Sequence, residues 1–416
     1  MSIEKTVCEL FAGVGGFHVG LSNSNKDWNI VFANQWEPSR TRQDAFNCYR
    51  TNFPNVYAEN VDIKYINDNY EEFNIPNYNL LVGGFPCQDY SVASTGAKGI
   101  QGKKGVLWWE IRRMIERDNP PFVLLENVDR LLKSPASQRG RDFAIMLACF
   151  RDLGYCVEWR VINAADYGFP QKRVRIFIFA YKNNTNYYES QVNLINSIGN
   201  EKYINKGFFA KQFAISGFND IREYILNEDI LTISNGRSFQ FFNSGYMIGN
   251  KIITQKYIPK IEELSTLESI LEDDVDDIYY LGENLEDWKY MKGAKAIPRT
   301  SRTGHEYVFR EGALSFPDIL NKPARTMLTS ESSKNRSTHV IRDPQTSRLR
   351  VLTPIECERL NGFPDNWTNT GMSEKFRYFC MGNALVVGLI ERMGKTLSEI
   401  FENEAGERLL EILDND

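Results

Sequence analysis

Short apolar runs alternate with helical repeats through the first 180 residues. Thr6–Leu10, Asn29–Phe32, Asn79–Val82, Phe122–Leu125, Val157–Ile162 and Val174–Ala180 are brief and mostly apolar, as expected of strands covered on both faces. Between them, Leu107–Arg117 and Arg141–Leu153 repeat apolar residues every three or four positions, which predicts helices with one buried side. Strand–helix alternation of this kind implies an α/β fold: a parallel sheet with helices on both faces.

After Ala180 the rhythm stops. Asn183–Tyr188 is polar and rich in Asn, which reads as a linker. From there to about Arg342 no strand–helix alternation is visible, and Leu389–Leu413 reads as one or two amphipathic helices.

Charge adds a second asymmetry. The net charge of the 416 residues is −5, yet residues 262–287 carry eleven Asp and Glu with no Lys or Arg, a pattern expected of solvated surface. Residues 292–350 then hold twelve Lys and Arg against five Asp and Glu, a net of +7. Ser and Thr are interleaved with these cations, as phosphate contact would require. The 42% hydrophobic share excludes wholesale disorder. No apolar run approaches the ~20 residues of a membrane span, and the start is charged, so a soluble, cytoplasmic chain without a membrane partner is expected. Seven cysteines, none in C-x2-C spacing, and three scattered histidines argue for a reducing compartment and against a metal site.

Four constellations carry chemistry. CELFAGVGGFHVGL (8–21) runs from a strand into a glycine turn and a helix, where Gly13, Gly15 and Gly16 let backbone approach a ligand. Gln35-Trp36-Glu37 ends the second strand, the place where such sheets hold an adenosine ribose, and Asn60-Val61-Asp62-Ile63 follows near the third. Together they point to an adenosine-type cofactor. LLVGGFPCQDYS (80–91) delivers Cys87 at a strand tip, where a thiolate is a plausible covalent nucleophile; residues 91–105, with four Gly and three Lys, read as a basic lid. PPFVLLENVDRLL (120–132) ends an apolar strand in Glu126, whose desolvation would suit an acid. In ADYGFPQKRVRIFIFA (165–180), Gln171, Arg173 and Arg175 alternate as a strand begins and should share one face.

In this order, with LTPIECERLNGFP (352–364) and MGNALVVGLI (381–390), these blocks resemble the DNA (cytosine-5)-methyltransferase family of the bacterial restriction–modification type. The resemblance implies a Rossmann-like domain over residues 1–182 plus 375–416, and a smaller target-recognition domain over 183–374 that forms the opposite wall of a DNA cleft. It implies S-adenosylmethionine as methyl donor, double-stranded DNA as substrate, action as a monomer, and a cognate restriction endonuclease that acts separately. Cys87 matches the nucleophile and Glu126 the acid, while Arg173 and Arg175 match positions that support the target nucleotide. Phe11, Gly13, Gly15, Trp36, Asp62, Ile63, Pro86 and Asn383 match the cofactor pocket. Many relatives have an acid just before the aromatic residue of the second strand. Here Gln35 precedes Trp36 and Glu37 follows it, so either could face the ribose. Gln88, Ser91, Lys98, Arg302 and Arg336 are the expected DNA contacts. A tRNA-directed relative on the same scaffold, or a DNA-binding homologue without activity, would share much of this pattern.

Overall fold

The structure is a computed structural model that describes residues 3–85, 107–236, 238–282, 285–301, 304–331 and 333–404. Its first half is β1 (Thr6–Leu10), α1 (Gly16–Ser24), β2 (Asn29–Asn34), α2 (Asp44–Asn52), β3 (Ala58–Glu59), α3 (Ile63–Asp68), α4 (Tyr70–Phe73) and β4 (Leu80–Gly84). It continues with α5 (Leu107–Asp118), β5 (Phe122–Val128), α6 (Arg141–Asp152), β6 (Tyr155–Asn163) and β7 (Val174–Lys182). Next come α7 (Asn186–Ile198), β8 (Ile215–Ile225), α8 (Ile230–Gly236), β9 (Ser244–Ile248) and β10 (Lys251–Pro259). The last elements are α9 (Glu286–Lys292), β11 (Lys295–Thr300), β12 (Glu306–Glu311), β13 (Val340–Arg342), β14 (Leu349–Val351), α10 (Pro354–Leu360), α11 (Glu374–Asn383) and α12 (Val387–Asn403).

Ten strands form one sheet in the order β3-β2-β1-β4-β5-β7-β6-β9-β10-β8. Strands β1 to β5 pair in parallel, as the apolar runs imply. From β7 onward every pairing is antiparallel. The reason is the β6–β7 connection. Ten residues cannot carry a crossover helix, so the chain turns back as a hairpin. The sheet also runs past residue 182, because β9 pairs with β6 and brings residues 215–259 into the same layer.

Alternate residues of the central strands feed two cores. Leu81, Val123 and Leu125 face α5 and α6, whereas Leu80, Val82, Phe122 and Leu124 face α1 and α12. Helix α12 returns from the far end of the sequence to lie on α1. They approach so closely that a Cβ on Gly20 would sit 2.5 Å from Ile390. A third core joins Val14, Val19 and Cys48 to Met327, Ile341, Leu352, Phe376 and Met381, so residues 324–352 are seated against α1, α2 and α11.

The expected linker at Asn183–Tyr188 is a helix start. Thr185 accepts the Tyr188 N–H at 3.1 Å, and the Glu404 carboxylate accepts the N–H groups of Asn186 and Tyr187 at 2.9 and 2.7 Å. Capping selects the same polar residues as loops do. The acidic run is mostly exposed, as expected, but Glu262 forms a two-pronged pair with Arg392 at 2.8 Å. No helix of the described residues is long and apolar enough to cross a membrane.

Candidate active site

Strand order reverses between β1 and β4: the chain leaves β1 toward β2 and β3, then crosses back. Ligands bind outside the carboxyl ends of the strands at such a point. A cleft of about 410 Å³ opens there, lined from one side by Phe11, Gly13, Trp36, Glu37 and Asn383, and from the other by Gly84, Phe85, Glu126 and Arg175.

The glycine turn builds the first side. Phe11, Gly13 and Gly15 have φ of 54°, 56° and 91°, the left-handed region that favours glycine. Nothing lies within 4 Å of where a Gly13 Cβ would stand, whereas one on Gly15 would strike Phe53 at 2.5 Å. Gly13 therefore leaves ligand space, and Gly15 serves packing rather than lining the cleft. Gln35 Oε1 accepts the Gly13 N–H at 2.8 Å and is committed to holding the turn. Glu37 accepts the Ala45 N–H and lies near Arg40, but does not hold the turn. Its Oε2 is buried without a partner, and burial raises its carboxyl above the ordinary range. Trp36 is exposed along the cleft. Asp62 and Ile63, expected in the pocket, are not among the lining residues. Asp62 caps α3 through the Lys64 N–H at 2.8 Å, and Ile63 is buried in the core.

The second side centres on Glu126. Its Oε1 lies 2.8 Å from Arg175 Nε. Burial pushes the carboxyl upward, against the opposing pull of Arg175 and then Arg173. Gly84 permits this arrangement, since a Cβ there would meet Glu126 Oε2 at 3.0 Å. Asn127 donates to the Phe85 carbonyl at 2.8 Å, fixing the strand end that leads into the Pro-Cys segment. Pro86, Cys87, Gln88, Ser91, Lys98, the rest of the expected lid and Arg302 lie outside the described residues.

Arg173 departs from expectation. Strand β7 begins only at Val174, and although both arginines pull on Glu126, they take different hydrogen-bond partners. Arg175 meets Glu126. Arg173 is 1% exposed and donates to the carbonyls of Met327 at 3.2 Å and Gly382 at 3.0 Å. Burial lowers its pKa to about 9. It ties residues 324–327 to the end of α11, next to Asn383, and does not line the cleft. Gln171 assists: its Oε1 accepts the Met327 N–H at 3.0 Å. Arg336, an expected DNA contact, donates instead to the carbonyls of Met291 and Gly293 at 2.8 and 3.0 Å. Arg325 is likewise engaged, with Asp318 at 2.7 Å.

Sequence reasoning missed Glu9. It is fully buried beneath the glycine turn, accepts the Tyr49 hydroxyl at 3.1 Å and is held by the N–H groups of Phe17 and His18; burial raises its pKa to about 8. An acid inside the apolar run VCELF was the available signal.

A parallel half-sheet, a glycine turn at its switch point and one cleft shared by a carboxylate with an unpartnered oxygen and a Glu–Arg pair mark an α/β fold whose candidate site lies at the strand ends. The chain belongs to the C-5 cytosine-specific DNA methylase family, whose sequence profile matches residues 5–399, and is a DNA (cytosine-5-)-methyltransferase. It is 53% identical to the type II methyltransferase M.Sau3AI of Staphylococcus aureus over 95% of both chains. It is 25% identical to M.SsoII of Shigella sonnei over 94% of this chain and 79% of that one. In fold it is similar to solved structures of a Spodoptera frugiperda DNMT2 variant and of S. pombe Dnmt2. Each superposes with a TM-score of 0.57 at 16% identity over 95% of this chain, covering 99% and 98% of theirs.

Proposed function

We propose that the protein transfers a methyl group from S-adenosylmethionine to carbon-5 of a cytosine extruded from a specific site in duplex DNA. The observation that carries this reading is the single cleft, which joins Trp36 and Glu37 to Glu126 and Arg175. The first pair suits an adenosyl group. Trp36 offers a face for adenine, and the unpartnered Glu37 oxygen suits the ribose hydroxyls, Gln35 being already engaged. S-adenosylmethionine, when bound, supplies an electrophilic methyl group.

The remaining chemistry belongs to the chain. Carbon-5 of cytosine is a weak nucleophile. Addition of the Cys87 thiolate to carbon-6, with protonation of ring nitrogen 3 by Glu126, turns the ring into an enamine. Glu126 holds its proton more readily than an ordinary carboxyl because it is buried, and Arg175 fixes its orientation. After carbon-5 gains the methyl group it loses its proton to solvent water, the carbon–sulfur bond breaks so that Cys87 leaves as thiolate, and ring nitrogen 3 returns its proton to Glu126. A stacked base is out of reach of these groups, so it must be flipped into the cleft. Of the expected small domain, 183–374, the part after β10 would form the facing wall, since β8–β10 belong to the main sheet. As the motif resemblance implies, the enzyme would protect DNA from a separately acting restriction endonuclease.

Transfer of labelled methyl groups, assayed on duplex DNA and on tRNA, tests this reading. Label should enter duplex DNA and map by bisulfite sequencing to cytosines in one short sequence. Label in tRNA alone would contradict it.

A further inference from the structure

Among the described residues, strands β11 and β12 pair only with each other. A two-stranded ribbon is marginal in water by itself, so something must hold it. Arg336 does so at the stem, donating to the carbonyls of Met291 and Gly293 before β11 and of Gly312 after β12. Leu314 N–H closes the stem on the Lys292 carbonyl at 2.8 Å. Farther out, the Arg299 guanidinium lies 4.0 Å over the Phe309 ring.

The register sorts the side chains. Ala296 faces Arg310, Pro298 faces Val308, and Thr300 faces Glu306, so these six share one side of the ribbon. All six are exposed. On the other side Lys295, Ile297, Phe309 and Glu311 are half-buried. One face is thus packed near the stem, while the other is bare and combines an apolar centre with Arg310 towards the stem and Glu306 towards the turn. Arg310 has no protein partner among the described residues. Arg325 and Arg336, in contrast, are held by Asp318 and by backbone carbonyls.

We propose that the bare face of the β11–β12 ribbon, carrying Arg310, Val308, Pro298 and Ala296, enters the major groove of DNA and reads base edges. This deepens the reading of the chain as a DNA methyltransferase and rests on it. A major groove admits a two-stranded ribbon, and six residues per strand extend about 20 Å. The ribbon itself, residues 295–311, holds four Lys and Arg against two Glu, a net of +2 that complements phosphate. The arginine fork matches the two acceptors of guanine, and the Val–Pro–Ala row matches a thymine methyl. The ribbon is also tied to the site. Its stem arginine belongs to the segment whose residues 324–327 are bonded to Gln171, Lys172 and Arg173.

The test uses the full-length enzyme, S-adenosylmethionine and duplexes varied one base pair at a time, with Arg310→Ala and Arg310→Lys compared. A lysine keeps the charge but loses the two-pronged fork. Both variants should lower kcat/KM on the preferred duplex by roughly 5- to 150-fold. The loss should trace to one base pair, whose replacement no longer matters in the variants. Cofactor KM should stay unchanged, and Arg310→Lys should retain the wild-type salt slope. If Arg310→Lys behaves as wild type while Arg310→Ala loses activity equally on all duplexes, with a slope flatter by about one, the residue touches phosphate and the proposal is overturned. Unaltered activity and site preference in both variants also overturn it. A wild-type enzyme that methylates no duplex would instead refute the methyltransferase reading, and the ribbon's role with it.

Discussion

Replacing Arg173 with Met separates a structural clamp from a nucleotide contact. The guanidinium is 1% exposed and makes two hydrogen bonds, at 3.2 Å to the Met327 carbonyl and 3.0 Å to the Gly382 carbonyl. Hydrogen bonds to a charged group contribute about 1.5–3 kcal/mol each. Methionine fills much of the space but donates nothing, so two buried carbonyls lose their partner. Part of that cost is offset because the cation itself is poorly solvated, as its pKa of about 9 records. A net loss of about 2–4 kcal/mol follows, against the 5–15 kcal/mol typical of a folded domain. At a urea m-value near 3 kcal/mol/M, the midpoint should fall by about 1 M. Because the clamp joins residues 324–327 to the end of α11, the KM for DNA and for S-adenosylmethionine should rise together. An unchanged urea midpoint with a selective loss of kcat would refute the clamp and restore the nucleotide contact that the motif resemblance implies.

Other outcomes follow from the cleft. Trp36→Ala should raise the KM for S-adenosylmethionine by roughly 5- to 150-fold, the equivalent of a lost stacking contact of 1–3 kcal/mol, and change the KM for DNA much less; equal changes would make Trp36 merely part of the packing. Glu126→Gln keeps the shape but not the acidic proton, and should slow methyl transfer by about 10²–10⁴-fold in single-turnover assays. Glu9 has a folded pKa of about 8, above its ordinary 4.5. The folded state therefore binds its proton more tightly than the unfolded chain does, and the stability this adds is complete below pH 4.5 and lost as pH rises to about 8. Glu9→Gln should flatten the fall in denaturation midpoint across that window, and an unchanged slope would contradict the assignment.

Most of the sheet's parallel half was legible because its strands are covered on both faces and so read as short, mostly apolar runs, Glu9 in β1 and the two-residue β3 excepted. Strands β8–β10 were not. β8 is an edge strand whose residues are largely exposed, and its polar composition resembles a loop. The start of α7 was hidden for a related reason, since the residues that cap a helix also populate turns. At the site, Glu126 and Trp36 could be found from their position after a strand. The division of labour between Gln35 and Glu37 could not, because it depends on which one the Gly13 N–H reaches. Arg173 and Arg175 looked equivalent by spacing. Their difference arises from where β7 begins and from the carbonyls of Met327 and Gly382, which lie more than 150 residues away in sequence.

The covalent role of Cys87 is the centre of the account, and a duplex carrying 5-fluorocytosine at the target position tests it most directly. After methyl transfer the fluorine cannot depart as a cation, so the bond between Cys87 sulfur and carbon-6 should persist. Denaturing electrophoresis should show a protein–DNA band that requires S-adenosylmethionine and disappears in Cys87→Ser, whose hydroxyl is a far weaker nucleophile at neutral pH. A band that survives that substitution would contradict the mechanism and place the nucleophile elsewhere.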